Sequence, residues 1–174
     1  MPVHVTYRLG AAAAGRSVRR FMETLDRTTL HAEIGEQLLL STDERWVREV
    51  APDGTPWAPL SPATIESGAK RQRRGRLRPG DVAAYSVHKR ILQELGTRGG
   101  LRGSIVYEAG NDDVRIGSNK VYARAHQRGL GERSNVASRR RFGALPARPF
   151  VGVSDDDELA IADVIRDWLG KRVR

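Results

Sequence analysis

The ten residues Ala51-Pro52-Asp53-Gly54-Thr55-Pro56-Trp57-Ala58-Pro59-Leu60 constrain this chain more than any others. Three prolines and a glycine bar a helix from crossing the stretch, because proline lacks the amide a helix needs and collides with the preceding turn. Asp-Gly after Pro is turn chemistry, and Gly54 suits a turn that needs unusual dihedrals. Trp57, flanked by Pro56 and Pro59, can anchor this irregular segment against a core. Any helix before it must stop near Val50, and the residues beyond Leu60 must pack as separate elements.

Before the barrier, residues 3–9 alternate with the two-residue period of a half-buried strand. Residues 16–50 change to a helical period, with Val18, Phe21, Met22 and Leu25 on one stripe and Leu30, Ile34 and Leu38 on another. The stripes do not align, so the helix either bends or is two helices meeting at Asp26-Arg27-Thr28-Thr29, where residues that compete for backbone hydrogen bonds gather. After the barrier, Ser61-Pro62 offers a cap and a first-turn proline for a short helix ending by Gly68. A helix over 85–95, a hairpin of 101–108 and 114–117 around Asn111-Asp112-Asp113, and a short helix over 121–127 come next. Gly117, like Gly54, is read as a turn residue. The last helix starts at the Ser154 cap, with Asp155-Asp156-Asp157 on the amides of its first turn and Lys171-Arg172 by its carbonyl end. Its inner face is Ile161, Ala162, Ile165, Trp168 and Leu169. The fold class is α+β: one domain over 1–174 in which the long and C-terminal helices pack on a small antiparallel sheet.

Chemistry is conspicuous by its absence. There is no cysteine, which removes disulfides, thiolate metal sites and thiol nucleophiles. The four histidines, His4, His31, His88 and His126, stand apart from one another and from carboxylates at ligand spacing, and no phosphate-cradling glycine string precedes a Lys-Ser or Lys-Thr. Aromatic residues are 6% of the chain, so the interior should be mostly aliphatic. No enzyme, metal or cofactor is expected, and the apolar part of residues 1–20 is too short for a signal peptide or a membrane span, so the chain should be soluble and cytoplasmic when made, with no membrane partner.

Charge is informative in its distribution. The net charge is +9, but residues 68–148 hold 19 Lys or Arg against 6 Asp or Glu, a balance of +13, while the rest of the chain is acidic. Two flexible basic loops are expected, over about 68–82 and 129–143. The first carries Lys70, Arg71, Arg73, Arg74, Arg76 and Arg78, the second Arg133, Arg139, Arg140 and Arg141. These ten are the candidates for contact with DNA or with an acidic partner, through phosphate or carboxylate rather than base edges. Stacking aromatics are missing apart from Phe142, which argues against a single-strand platform. Pro146, Arg148, Pro149 and Phe150 form a stiff extended arm able to lie on its own subunit or on a neighbour.

Four ordered stretches resemble the virion-morphogenesis or tail-completion family of Mu-like and related tailed phages. They are Pro52 to Ser61; Ile91-Leu92 with Thr97, Leu101-Arg102 and Ser104-Ile105; Val114 to Asn119 with Tyr122-Ala123 and His126-Gln127-Arg128-Gly129; and Leu145 to Gly152. Gly99-Gly100 lengthens the second relative to the family spacing. The resemblance implies a structural virion protein that acts at tail completion or head–tail joining. It implies a homo-oligomeric ring, hexameric, at the neck or tail end, touching connector or neck proteins and tail tube or terminator proteins, with Pro146 to Phe150 as the subunit-interface arm. A non-sequence-specific DNA-binding or packaging-associated factor is the alternative.

Overall fold

The structure is a computed structural model, and it describes residues 3–7, 25–74, 76–92, 100–130 and 145–172. In chain order the described elements are β1 (Val3–Tyr7), α1 (Thr28–Arg48), α2 (Pro62–Arg73), α3 (Asp81–His88), a 3-10 turn (Arg102–Ser104), β2 (Ile105–Ala109), β3 (Val114–Ser118), α4 (Ala123–Arg128) and α5 (Asp155–Gly170). The expected α+β class is present. The strands run antiparallel in the order β1-β3-β2, with Ile116 of the central strand opposite Val5 on one side and Tyr107 on the other.

Alternation sets the faces of the sheet. Val114, Ile116 and Ser118 are buried on one side together with Ile105, while Val106 and Glu108 point away, Val106 being exposed. α1 lies across the buried face. At Gly35 the ring of Tyr107 occupies the space a side chain would need. The start of α1 is fastened to the β2–β3 turn: His31 Nδ1 lies 2.6 Å from the Gly110 carbonyl, the Arg27 amide donates to Asn111 Oδ1, and Arg27 pairs with Asp112 at 2.7 Å. Asp26 accepts from the Thr28 amide at 2.9 Å, so the polar cluster at 26–29 marks a helix start. Residues 16–24, expected to be helical, lie outside the described residues.

α5 packs chiefly along the other flank of α1, antiparallel to it, so it reaches the sheet through that helix. Trp168 near its end donates to Thr29 Oγ1 at the start of α1, while Asp157 in its first turn meets Arg45 near the end of α1. Ser154 and Asp157 form a reciprocal capping box. Arg172 stacks 3.9 Å above the Trp168 ring. Of the expected inner face, Ile161 and Trp168 are buried but Ala162 is exposed. The core is aliphatic in number but hinges on aromatics. Trp46 meets Trp57 and Phe150 edge-on, each at 5.2 Å between centroids.

Three expectations need correction. The helix that starts at Pro62 does not stop by Gly68 but runs to Arg73, and α3 begins at Asp81, so most of the first basic loop is a helical hairpin. Arg, Lys and Gln are good helix formers, and Glu66 pairs with Lys70 one turn on. The next helix ends at His88 and does not begin at 85, because Lys89 is extended and Leu92 takes a left-handed φ of 56°. Gly117 is no turn residue. It sits buried in the central strand between His4 and Val106.

Candidate assembly interface

The helical hairpin α2–α3 stands out from the rest of the molecule by how little it buries. The two helices pack chiefly on each other, through Gly68 and Ala69 of α2 against Tyr85 of α3, whose hydroxyl end fills the space beside Gly68. Ser61 caps α2 with its hydroxyl, and Arg73 closes the hairpin by pairing with Asp81 at 3.1 Å. Lys70, Arg71, Arg73, Arg74, Arg76 and Arg78 are all exposed. Lys70 and Arg73 have carboxylate partners; the other four make no ion pair among the described residues. Arg133, Arg139, Arg140 and Arg141 lie outside the described residues, between Leu130 and Leu145, which pair through two backbone hydrogen bonds.

Both feet of the hairpin rest on one residue. Glu49 follows α1 in a left-handed conformation, φ 57°, which is strained for a residue with a side chain. Its carbonyl accepts the Trp57 amide at 2.8 Å ahead of the hairpin, and its carboxylate accepts the Ile91 amide at 2.7 Å beyond it. Gly54, at φ 80°, turns the chain back so that Ala51 and Thr55 can bond.

The stretch read as a subunit-interface arm is committed to its own chain. Arg148 is 3% exposed, and its guanidinium donates to the carbonyls of Ala58 at 2.7 Å and Pro59 at 2.9 Å. Burial lowers its pKa, and the nearby Glu49 opposes that. The Pro149 carbonyl accepts the Trp57 indole N–H at 2.7 Å, and Phe150 is buried against Trp46. In this arrangement the side chains of Arg148 and Phe150 are not available to a neighbouring subunit; Pro146 is exposed. The reason is local. Gln127 of α4 clamps the stretch, accepting from the amides of Phe150 and Val151 and donating to the Val151 carbonyl, while the His126 carbonyl accepts the Arg148 amide. Gly129 completes the seat: its φ is 71°, and a side chain there would fall 2.8 Å from the Ala147 amide nitrogen.

Sequence reasoning missed a second surface. The outer faces of α1 and α5 are acidic, with 10 carboxylates against 3 arginines in the two helices. Glu33, Glu44, Asp155, Asp156, Glu158 and Asp167 are exposed and make no ion pair among the described residues. Leu40, Val47 and Leu159 are exposed on the same helices. The signal was in the sequence, since the acidic excess falls outside residues 68–148, but nothing in the spacing showed that the two helices would lie side by side.

A cleft of about 590 Å³ opens between the end of α1, the Pro52-to-Gly54 turn and the start of α5, where Arg48, Asp53, Asp155 and Asp156 give it mixed charge and the Ser154 hydroxyl is engaged as the α5 cap with Asp157. Among the described residues no cluster of His and carboxylates could hold a metal, and no helix is long and apolar enough to cross a membrane.

Residues 11–170 match the model of the phage virion morphogenesis family. The chain is 33% identical to the "Putative capsid assembly protein G" of Escherichia phage Mu over 79% of its length and 76% of the relative's. It is 27% identical to the "Tail completion protein S" of Escherichia phage P2, covering 80% of this chain and 81% of that one. A shorter match, 38% identical over 39% of the chain and 46% of the relative, is to the "Mu-like prophage FluMu G protein 2" of Haemophilus influenzae. No solved structure matches. With the match running through the capped α5, the Gln127 seat and the Trp57 segment alike, the chain belongs to the phage virion morphogenesis family.

Proposed function

We propose that this protein is a structural subunit of the phage particle, acting late in tail assembly or at the head–tail joint as one member of a homo-oligomeric, six-fold ring at the neck or tail end. It works by assembling, and its residues do no chemistry. The observation that carries this reading is the exposed hairpin, α2–α3, which buries little of its own surface yet is fixed to the core at both ends. An element held out in this way is available to a partner. The names of the two long matches, capsid assembly in one phage and tail completion in another, support a place among head and tail proteins. Connector or neck proteins on one side and tail tube or terminator proteins on the other are the partners this position supplies.

The test is a particle. Mass spectrometry of purified virions should find the protein in a fixed copy number, and labelling should place it at the neck or the tail end. Its absence from mature particles would overturn the reading. A second reading, a non-specific DNA-binding or packaging-associated factor, is favoured by the four arginines of the hairpin that lack ion-pair partners among the described residues. It requires duplex binding that falls steeply with salt and disappears when Arg71, Arg74 and Arg76 are neutralised.

A further inference from the structure

The chain carries two surfaces that complement each other and cannot meet within one molecule's own packing. The hairpin, residues 62–88, has 6 Lys or Arg against Glu66 and Asp81, and it exposes Val82 and Val87, the latter at 78%. α1 and α5 together carry seven more carboxylates than arginines over their whole lengths, with Asp43 paired to Arg102, and they expose Leu40, Val47 and Leu159, at 57%, 52% and 68%. α2 and α3 pack chiefly on each other, while α1 packs on the sheet and α5 packs on α1. The hairpin cannot fold back onto the acidic face, since Glu49, Arg148 and Ile91 hold both of its feet at the Trp57 side of the core.

We infer that the partner of each surface is a second copy of this chain: the basic hairpin of one subunit docks on the acidic α1–α5 face of the next, head to tail. This rests on the ring reading above and names the contact that would build the ring. Different patches meeting in a heterologous contact close into rings when the rotation between neighbours allows, whereas a self-complementary patch stops at a dimer. Here each patch repels itself, so pairing of like with like is disfavoured while hairpin to acidic face is attractive. The exposed valines and leucines supply the apolar area that charge alone lacks. Duplex DNA would satisfy the hairpin's arginines but leaves the acidic helices and their exposed Leu40, Val47 and Leu159 without a partner, so a copy of the chain accounts for more of the surface.

The experiment is a charge-reversal exchange on the full chain, read by sedimentation at low salt. One variant carries Arg71→Glu, Arg74→Glu and Arg76→Glu, which takes the hairpin from +4 to −2; the other carries Glu33→Lys, Glu44→Lys, Glu158→Lys and Asp167→Lys, which takes α1 and α5 together from −7 to +1. All seven positions are exposed and none of these side chains makes an ion pair among the described residues, so both variants should keep the wild-type melting temperature. Each alone should associate at least about tenfold more weakly than wild type, and an equimolar mixture should recover association, because every reversed surface then meets an opposite one. Unchanged association in the single variants, or a mixture no better than its components, overturns the head-to-tail contact. So does a wild type that stays monomeric at low salt at every concentration. If the hairpin variant loses duplex DNA binding while its self-association is intact, the hairpin belongs to nucleic acid and the proposal fails. The virion measurement remains separate: head-to-tail oligomers absent from particles would remove the neck assignment and leave this contact standing.

Discussion

Arg45 and Asp157 meet at 2.6 Å with 4% and 2% of their surfaces exposed, and around them Thr42, Ser154 and the Gly152 carbonyl take up further hydrogen bonds of the guanidinium and the carboxylate. Such a pair is weak evidence of net stabilisation, because two charges had to leave water to form it, but removing one partner strands the other in the core. Asp157→Asn should cost about 3–5 kcal/mol at neutral pH, seen as a lower unfolding midpoint in urea. Burial pushes the Asp157 carboxyl up, yet hydrogen bonds from Ser41 and Ser154 together with the charge of Arg45 outweigh it and hold the group below its ordinary 3.8. A lowered carboxyl contributes stability that is present above its unfolded value and is lost as pH falls through the folded one. The deficit of Asp157→Asn relative to wild type should therefore shrink as the pH drops below about 4. A deficit independent of pH over that range would show that the carboxylate's charge is not what holds the two helices.

At the scale of elements, α2 and α3 chiefly contact each other, so the hairpin should open independently of the core. Gly68→Ala puts a methyl where the Tyr85 hydroxyl end now lies, and since that end is the tip of a long side chain, the cost falls on hairpin packing and not on the core. Amide exchange should accelerate through α2 and α3 while α1, β3 and α5 keep their protection, a pattern expected when a locally stabilised unit opens on its own. Uniform acceleration would mean that the hairpin is part of the core's cooperative unit. The same separability explains what the sequence concealed. α1, the β2–β3 hairpin and α5 announced themselves because each buries a stripe or an alternating face on the core, as with Leu30, Ile34 and Leu38, or Val114 and Ile116. α2 buries only Gly68 and Ala69, two residues with no hydrophobic signal, so a run of arginines read as a loop. The stretch 146–150 reads as a stiff arm from its prolines, but its seat depends on Gln127 and on the carbonyls of Ala58 and Pro59, distant in sequence and silent in composition. Trp57 was visible as an anchor by its proline neighbours; its contacts with Trp46 and Pro149 were not.

Among the described residues charge is polarised, with a basic helical hairpin and two acidic helices attached to a core whose aromatic centre joins Trp46, Trp57 and Phe150. Self-association through such surfaces should weaken as salt rises from about 0.05 to 0.5 M, since exposed charges beyond a Debye length of roughly 4–14 Å cease to interact. An association that strengthens with salt would point to apolar contact as the dominant force instead. The two feet gathered on Glu49 carry a consequence for protein engineering. Because the chain leaves the core at Trp57 and returns at Ile91 beside the same residue, the intervening segment behaves as an insert in a socket. Exchanging residues 61–89 for a short glycine-serine bridge should leave the melting temperature within a few degrees while abolishing the self-association that the hairpin supplies, so folding and assembly can be separated by one exchange.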